Sequence, residues 1–286
     1  MPDPLYINGR FTTTDEPVIG AEDRGFQFGD GVYEVLKFRK LTAIFPDKHF
    51  ARFERGLSAL GIPIPWNLSS FTALCMELIS RSGLDEGIVY FQVTRGEGER
   101  THQFPEEMTP TAIAYTRRMS FPDADKKAAG IRVITFDDLR WRFCYIKSTN
   151  LLGNVLAKRK AREAGAVEAL LHDGGEIREG ANSSFFAISD DTLLTHPLTE
   201  RILPGTVREK VLSVAREAGI WVEERPIRLD EVRNLDEAFM TSTTQAVMPI
   251  VAIDGHPVGS GVRGAMTEKL QRLFDELESG ELADRP

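Results

Sequence analysis

The sequence predicts an α+β fold in two domains. Three observations carry this. Residues 1–118 read as strands, then two helix-period segments, then strands again, rather than as strict strand–helix alternation. A run at 119–127, with Pro122, two aspartates and two lysines, breaks the pattern as a linker would. Residues 128–286 repeat the mixture at greater length. The expectation is a smaller N-terminal domain (1–118), a linker (119–127) and a larger C-terminal domain (128–286).

The elements follow in order. Leu5-Tyr6-Ile7-Asn8-Gly9-Arg10 holds the Asn-Gly pair of a tight hairpin. Val32 to Arg39 and Leu41 to Phe45 read as paired strands. From Asp47, expected as the N-cap, Phe50, Phe53, Leu57 and Leu60 recur at helical spacing until Gly61. A second helix is expected from Ser70 to Gly83. Ile88 to Thr94 and Thr111 to Thr116 are rich in β-branched and aromatic residues, as strands are. In the second domain, strands are expected at Ile131–Phe136, Trp141–Lys147, Val167–His172, Ser184–Ile188, Glu237–Thr241 and Met248–Ile253. Helices are expected at Asn150–Gly165, Thr206–Gly219 and Gly264–Leu277.

Composition narrows the function classes. Charged residues make up 27% and the hydrophobic set 42%, an ordinary globular balance. A formal net charge of −8 disfavours nucleic acid or an anionic membrane as partner. The two cysteines, Cys75 and Cys144, give no disulfide framework, and the five histidines show no metal-ligand spacing. Met1-Pro2-Asp3-Pro4 lacks a basic segment followed by an apolar one, so a cytoplasmic location is expected.

Chemistry enters at Lys147. If Trp141–Lys147 is a strand, Trp141, Phe143, Tyr145 and Lys147 share one face. A lysine in so apolar a row loses solvation, which lowers its pKa and frees its amine as a nucleophile able to form a Schiff base. Four other features would suit a ligand carrying a phosphate and an aromatic nitrogen. Leu203-Pro204-Gly205-Thr206-Val207 turns directly into a helix, whose first N–H groups attract anions. Thr241-Ser242-Thr243-Thr244 places hydroxyls at a strand end. Arg52 borders the apolar face of its helix beside His49 and could grip phosphate in a bidentate way. Glu179, just before a Gly-rich bend, could keep a pyridine nitrogen protonated. Each alone also has an ordinary reading, as a turn, a cap or a surface charge.

Together, in this order, they resemble the fold type IV pyridoxal-phosphate aminotransferases, the group of branched-chain aminotransferases, D-amino acid aminotransferases and aminodeoxychorismate lyases. The resemblance spans Leu5 to Leu273. It rests on Asp23-Arg24-Gly25-Phe26-Gln27-Phe28-Gly29-Asp30-Gly31-Val32-Tyr33-Glu34, the Lys147 run, Glu179-Gly180 and the hydroxyl cluster. It implies pyridoxal 5'-phosphate as cofactor, mainly on the C-terminal domain, and Lys147 as the Schiff-base and proton-transfer residue. Glu179 is then the partner of the ring nitrogen and Arg52 a phosphate ligand. Thr206 and Val207 become backbone phosphate donors, Ser242 and Thr243 further phosphate contacts, and Leu203 the residue packed on the ring.

Within the group, Arg100 and His102 discriminate. Two apart in an extended segment, they face the same side and could clamp a carboxylate. The pair resembles the carboxylate trap of D-amino acid aminotransferases, with Tyr33 as third member. That implies D-amino acid and 2-oxo acid substrates, and a homodimer in which Arg100 and His102 cross to the neighbouring subunit. Lys37 stands where many branched-chain enzymes carry an arginine. The alternatives are an L-branched-chain aminotransferase, a lyase of the same fold, and a non-catalytic protein that inherited it.

Overall fold

The computed structural model describes residues 3–16, 19–104 and 106–283; Met1 and Pro2, read above for a targeting segment, lie outside them. The chain divides into two compact units. The first holds the chain up to Ser120, the run Ile146–Asn150 and the residues from Glu281 on; the second holds Phe121–Tyr145 and Leu151–Gly280.

The first unit is built on β1 (Pro4–Ile7), β2 (Arg10–Thr13), β3 (Gly31–Arg39), β4 (Thr42–Ala43), β5 (Glu86–Thr94) and β6 (Thr111–Arg118), with helices α1 (Arg24–Phe28), α2 (Pro46–Leu60) and α3 (Leu68–Ser82). The strands form one sheet in the order β2-β1-β6-β5-β3-β4. Asn8 and Gly9 both take positive φ, which is what the two-residue β1–β2 hairpin needs. Period-two burial is clear along β5, where Val89, Phe91 and Val93 face the core and Tyr90 and Gln92 face away. The core is aromatic: Phe38, Phe53, Phe71 and Phe91 are fully buried. Helix α2 does not start at Asp47. Pro46 occupies its first turn and Phe45, in the left-handed region at φ 49°, is the N-cap residue. Proline at this place sets helical φ where its missing N–H costs nothing.

The second unit contains α4 (Ala124–Ala129), β7 (Ile131–Asp137), α5 (Leu152–Glu163), β8 (Glu168–Asp173), β9 (Glu176–Gly180), β10 (Ser184–Ser189), β11 (Thr192–Thr195), α6 (Thr206–Glu217), β12 (Val222–Glu224), β13 (Ile227–Arg228), β14 (Glu237–Ser242), β15 (Ala246–Ile253), β16 (His256–Pro257) and α7 (Ala265–Ala283). Its ten-stranded sheet runs β12-β11-β10-β14-β15-β7-β8-β9-β13, with β16 beside β15. The pairings β7–β8, β7–β15 and β11–β12 are parallel and the others antiparallel.

Several expectations change. The run 119–127 carries the first turns of α4, capped by Asp123 through the Lys126 N–H. Trp141–Lys147 is not a strand but a turn. Its alternation is real, with Cys144 and Ile146 buried, yet Trp141, Phe143 and Tyr145 are 36–48% exposed. The aromatic residues therefore line the outside of the turn, and Ile146 inserts into the core in their place. The stretch before Ser184 holds a further strand, β9, and Glu179 lies on it rather than in a loop.

Candidate active site

In the first unit the site is built on β3. Val32, Glu34, Leu36 and Phe38 alternate onto its buried face, so a carboxylate stands in a row of core residues. A lone ionised carboxylate there would be prohibitively costly. Helix α2 supplies what it needs, because His49 and Arg52, three residues apart, face it together. Arg52 donates through Nε to Glu34 Oε1 at 2.6 Å and through Nη2 to Oε2 at 3.0 Å. His49 Nδ1 lies 2.7 Å from Oε2. Burial pushes the Glu34 carboxyl up, but the Arg52 charge and His49 outweigh it and hold it well below the usual carboxylate range. Burial also pushes His49 down, against the pull of Glu34.

The opposite face of β3 carries Tyr33. Its ring stacks on Tyr90 at 5.7 Å, which stacks on Tyr115 at 5.0 Å, forming a ladder across three strands. Lys147 Nζ sits 4.2 Å from the Tyr33 ring centroid, a cation–π distance. The backbone fixes this approach: Tyr33 N–H donates to Lys147 O at 3.0 Å, and Thr149 N–H to Gly31 O at 3.0 Å. Thr149 Oγ1 and Asn150 Nδ2 both donate to Gly29 O. Gly29 is at φ 67°, and a Cβ there would fall 2.4 Å from Asn150 Oδ1. Glycine is needed at this position for its backbone and for its lack of bulk. Lys147 thus finds its aromatic neighbour on β3, not in its own row.

Arg100 and His102 lie in the exposed segment after β5. Both are placed against Phe28, with the Arg100 guanidinium 5.2 Å and the His102 ring 5.9 Å from its centroid. Tyr33, by contrast, packs with Tyr90 and Lys147.

The second unit assembles a different group. Glu179 is 4% exposed. It accepts from Arg140 Nη1 at 2.6 Å and from the Leu203 N–H at 3.1 and 3.2 Å. Asp138 takes Arg140 Nε and Nη2, each at 2.9 Å, from the other side. Burial pushes the Glu179 carboxyl up, and the Arg140 charge and the Leu203 N–H work against it. Sequence reasoning missed Arg140, which reaches Glu179 only through the folding of the sheet, and Asp138, which holds Arg140 from the other side.

At the start of α6, Gly205 is the N-cap and, among the described residues, no side chain caps it; Thr206 and Val207 follow in the open first turn. A Cβ on Gly205 would come 2.6 Å from Ser184 Oγ. Ser242 Oγ accepts from the Gln245 N–H at 3.2 Å, closing the turn that Thr243 belongs to. Next to it, Thr241 Oγ1 is buried and, among the described residues, finds no hydrogen-bond partner.

Comparison with known proteins decides the family. The model of the amino-transferase class IV family matches residues 31–253. The chain is 40% identical over 279 residues to the D-alanine aminotransferase of Bacillus licheniformis, covering 98% of each. It is 36% identical to that of Staphylococcus aureus strain MSSA476 over 95% of this chain and 96% of the relative.

The chain belongs to the class IV aminotransferases.

Solved structures agree on the fold of this class IV aminotransferase. Escherichia coli branched-chain amino acid aminotransferase superposes with a TM-score of 0.92 at 23% identity, over 98% of this chain and 96% of that one. A putative 4-amino-4-deoxychorismate lyase from Legionella pneumophila gives 0.84 at 22%, over 92% and 96%. Tested against a phosphorylated pyridine cofactor, the residues fit. The open amides of α6 suit an anion. The spare hydroxyl of Thr241 adds a donor. Glu179 is a buried carboxylate with one cationic partner on one side, as an acid meant to meet a ring N–H would be.

Proposed function

We propose that this aminotransferase transfers the amino group of a D-amino acid such as D-alanine to a 2-oxo acid such as 2-oxoglutarate, using pyridoxal 5'-phosphate. The observation that carries the reading is the seat of Lys147 Nζ over the ring of Tyr33, on a main chain that a backbone hydrogen bond ties to β3. Full-length similarity to D-alanine aminotransferases supports the substrate class.

When bound, the cofactor supplies an electron sink that weakens the bond from an amino acid's Cα to its proton. Lys147 would be the residue that binds the cofactor, and its Nζ would take that proton as general base and return it as general acid. Glu179, braced by Arg140, would keep the ring nitrogen protonated, and Leu203 would pack against the ring. The amides of Thr206 and Val207, the hydroxyls of Ser242 and Thr243, and Arg52 hold the phosphate. Glu34 orients Arg52 for that task. Tyr33, Arg100 and His102 bind the substrate carboxylate, with Arg100 and His102 serving the partner copy of a homodimer. The exposed apolar side chains of Phe26 and the Trp141–Phe143–Tyr145 turn support such an interface. The expected location is the cytoplasm.

Lys147→Ala tests the chemistry: visible cofactor absorption and turnover are both expected to vanish, and retention of both sinks the reading. A panel of D-alanine, L-leucine and aminodeoxychorismate on the holoenzyme tests the substrate, with D-alanine expected to lead. Sedimentation velocity reports the dimer.

A further inference from the structure

Arg24, 4% exposed on the five-residue α1, is tied to the residue that separates Arg100 from His102. Its Nη1 donates to the main-chain carbonyl of Thr101 at 2.7 Å, while its Nε donates to Asp30 Oδ2 at 3.0 Å. Asp30 is also held from the other side. Arg95 Nε reaches Oδ2 at 2.8 Å and Arg95 Nη2 reaches Oδ1 at 3.1 Å, with further bonds to the Leu60 and Gly61 carbonyls. One carboxylate thus serves two buried guanidinium groups. Aromatic faces take up the excess positive charge, Phe28 at 4.6 Å and Phe104 at 5.6 Å from Arg24, and Phe104 at 3.7 Å from Arg95. Phe28 is the ring on which Arg100 and His102 rest. The root of the segment is pinned as well, by Arg24 N–H to Gly96 O at 2.9 Å and Gly98 N–H to Glu22 O at 3.2 Å.

We propose that Arg24 is a positioning residue: with Asp30, Arg95 and Phe28 it fixes the backbone at Thr101, and so sets the geometry in which Arg100 and His102 meet a substrate carboxylate. This rests on the carboxylate role proposed for that pair. Arg24 itself need not touch substrate. Its planar fork spans Asp30 and Thr101 at once, which a lysine ammonium on a flexible stem cannot reproduce. An exposed segment carrying two long polar side chains would otherwise sample many conformations, each unproductive one weakening substrate binding.

The test uses the holoenzyme of wild type, Arg24→Lys, Arg100→Ala and the double variant. Backbone hydrogen exchange across 99–104 is expected to speed up about tenfold in Arg24→Lys, as local opening becomes easier. KM for D-alanine should rise about tenfold with kcat and cofactor absorption retained, the signature of lost substrate binding alone. In the Arg100→Ala background, Arg24→Lys should raise KM by less than in the wild type, because only the His102 part of its effect remains. Unchanged exchange, or unchanged KM, overturns the proposal. So does a fall in kcat with cofactor loss, which marks a merely structural role. If Arg24→Lys does not fold, Phe28→Leu decides by the same two readouts, since it removes the shared ring and keeps the ion pairs. Should Arg100→Ala leave KM for D-alanine unchanged, the carboxylate role itself fails, and the exchange result still shows whether Arg24 holds the segment.

Discussion

Glu34 and Glu179 are both buried, both paired with arginine, and their acidities are driven in opposite directions. Glu34 is chelated by Arg52 through two nitrogens and closed off by His49, so its pairing exceeds the cost of burial. Glu179 receives one nitrogen of Arg140 and one shared backbone N–H, and burial prevails. Among the described residues, Glu34 meets Arg52 through two nitrogens and His49 besides, whereas Glu179 meets one nitrogen of Arg140. The first arrangement suits a structural brace that aims Arg52. The second suits an acid whose remaining partner is a protonated ring nitrogen. A buried carboxylate's role follows from how completely the chain itself satisfies it.

The contrast can be broken by substitution. Glu34→Gln should cost most, about 3 kcal/mol or more of folding stability, because the buried guanidinium of Arg52 loses the carboxylate charge that its Nε and Nη2 bind. Urea unfolding measures this, and a loss under about 1 kcal/mol, the range of an ordinary surface pair, would deny Glu34 its bracing role. Glu179→Gln should leave the fold in place and lower kcat about 100-fold, a typical scale for removing one preorganised electrostatic contact. If instead it unfolds the protein and spares kcat in what remains, the two acids have been assigned the wrong way round.

Acid should separate the two next. Glu34 has a lowered folded pKa, so its stabilisation is complete above about pH 4.3, the unfolded value, and is lost as pH falls through the folded value. His49, also lowered, contributes above about pH 6.5 and loses its contribution below it. Glu179 has a raised pKa, so its contribution is present below the ordinary carboxylate range and is lost as pH rises. Between about pH 6.5 and 4.3 the loss from His49 is therefore opposed by the gain from Glu179, and below about pH 4.3 stability should fall steeply as Glu34 takes up its proton. Glu34→Gln should flatten the steeper limb, and Glu179→Gln should not; urea midpoints across this range provide the measurement. The smallest effect is expected for Asp138→Asn, which frees Arg140 to lean on Glu179 alone. Loss of one charged hydrogen bond should cost about 1.5 kcal/mol, with kcat changed only a few-fold.

How far the sequence reaches can be seen in the same residues. The Asn8-Gly9 hairpin, strands β3, β5 and β6 and the run of α2 were legible because turn chemistry and period-two or helical spacing are local. The start of α2 was not, since a left-handed Phe45 contradicts local preference and is held by its surroundings. Trp141–Lys147 misled because seven alternating residues fit either face, and only the core's choice of Ile146 fixes which. Glu34 could have been found: a glutamate in step with Val32, Leu36 and Phe38 is a charge on a core face, and it demands a cation. Arg140 carried no such signal. It meets Glu179 across 39 residues of chain, through strand order that no local pattern encodes.

The bond from Arg24 to Thr101 has a consequence for how this protein can change over generations. It grips a carbonyl, which every amino acid possesses, and ignores the side chains on either side. Positions 100 and 102 can therefore be exchanged while their mounting stays intact. On the carboxylate role proposed for that pair, new preferences among substrates can be explored there by single codon changes. A designer seeking to alter what the enzyme accepts would begin at the same two positions.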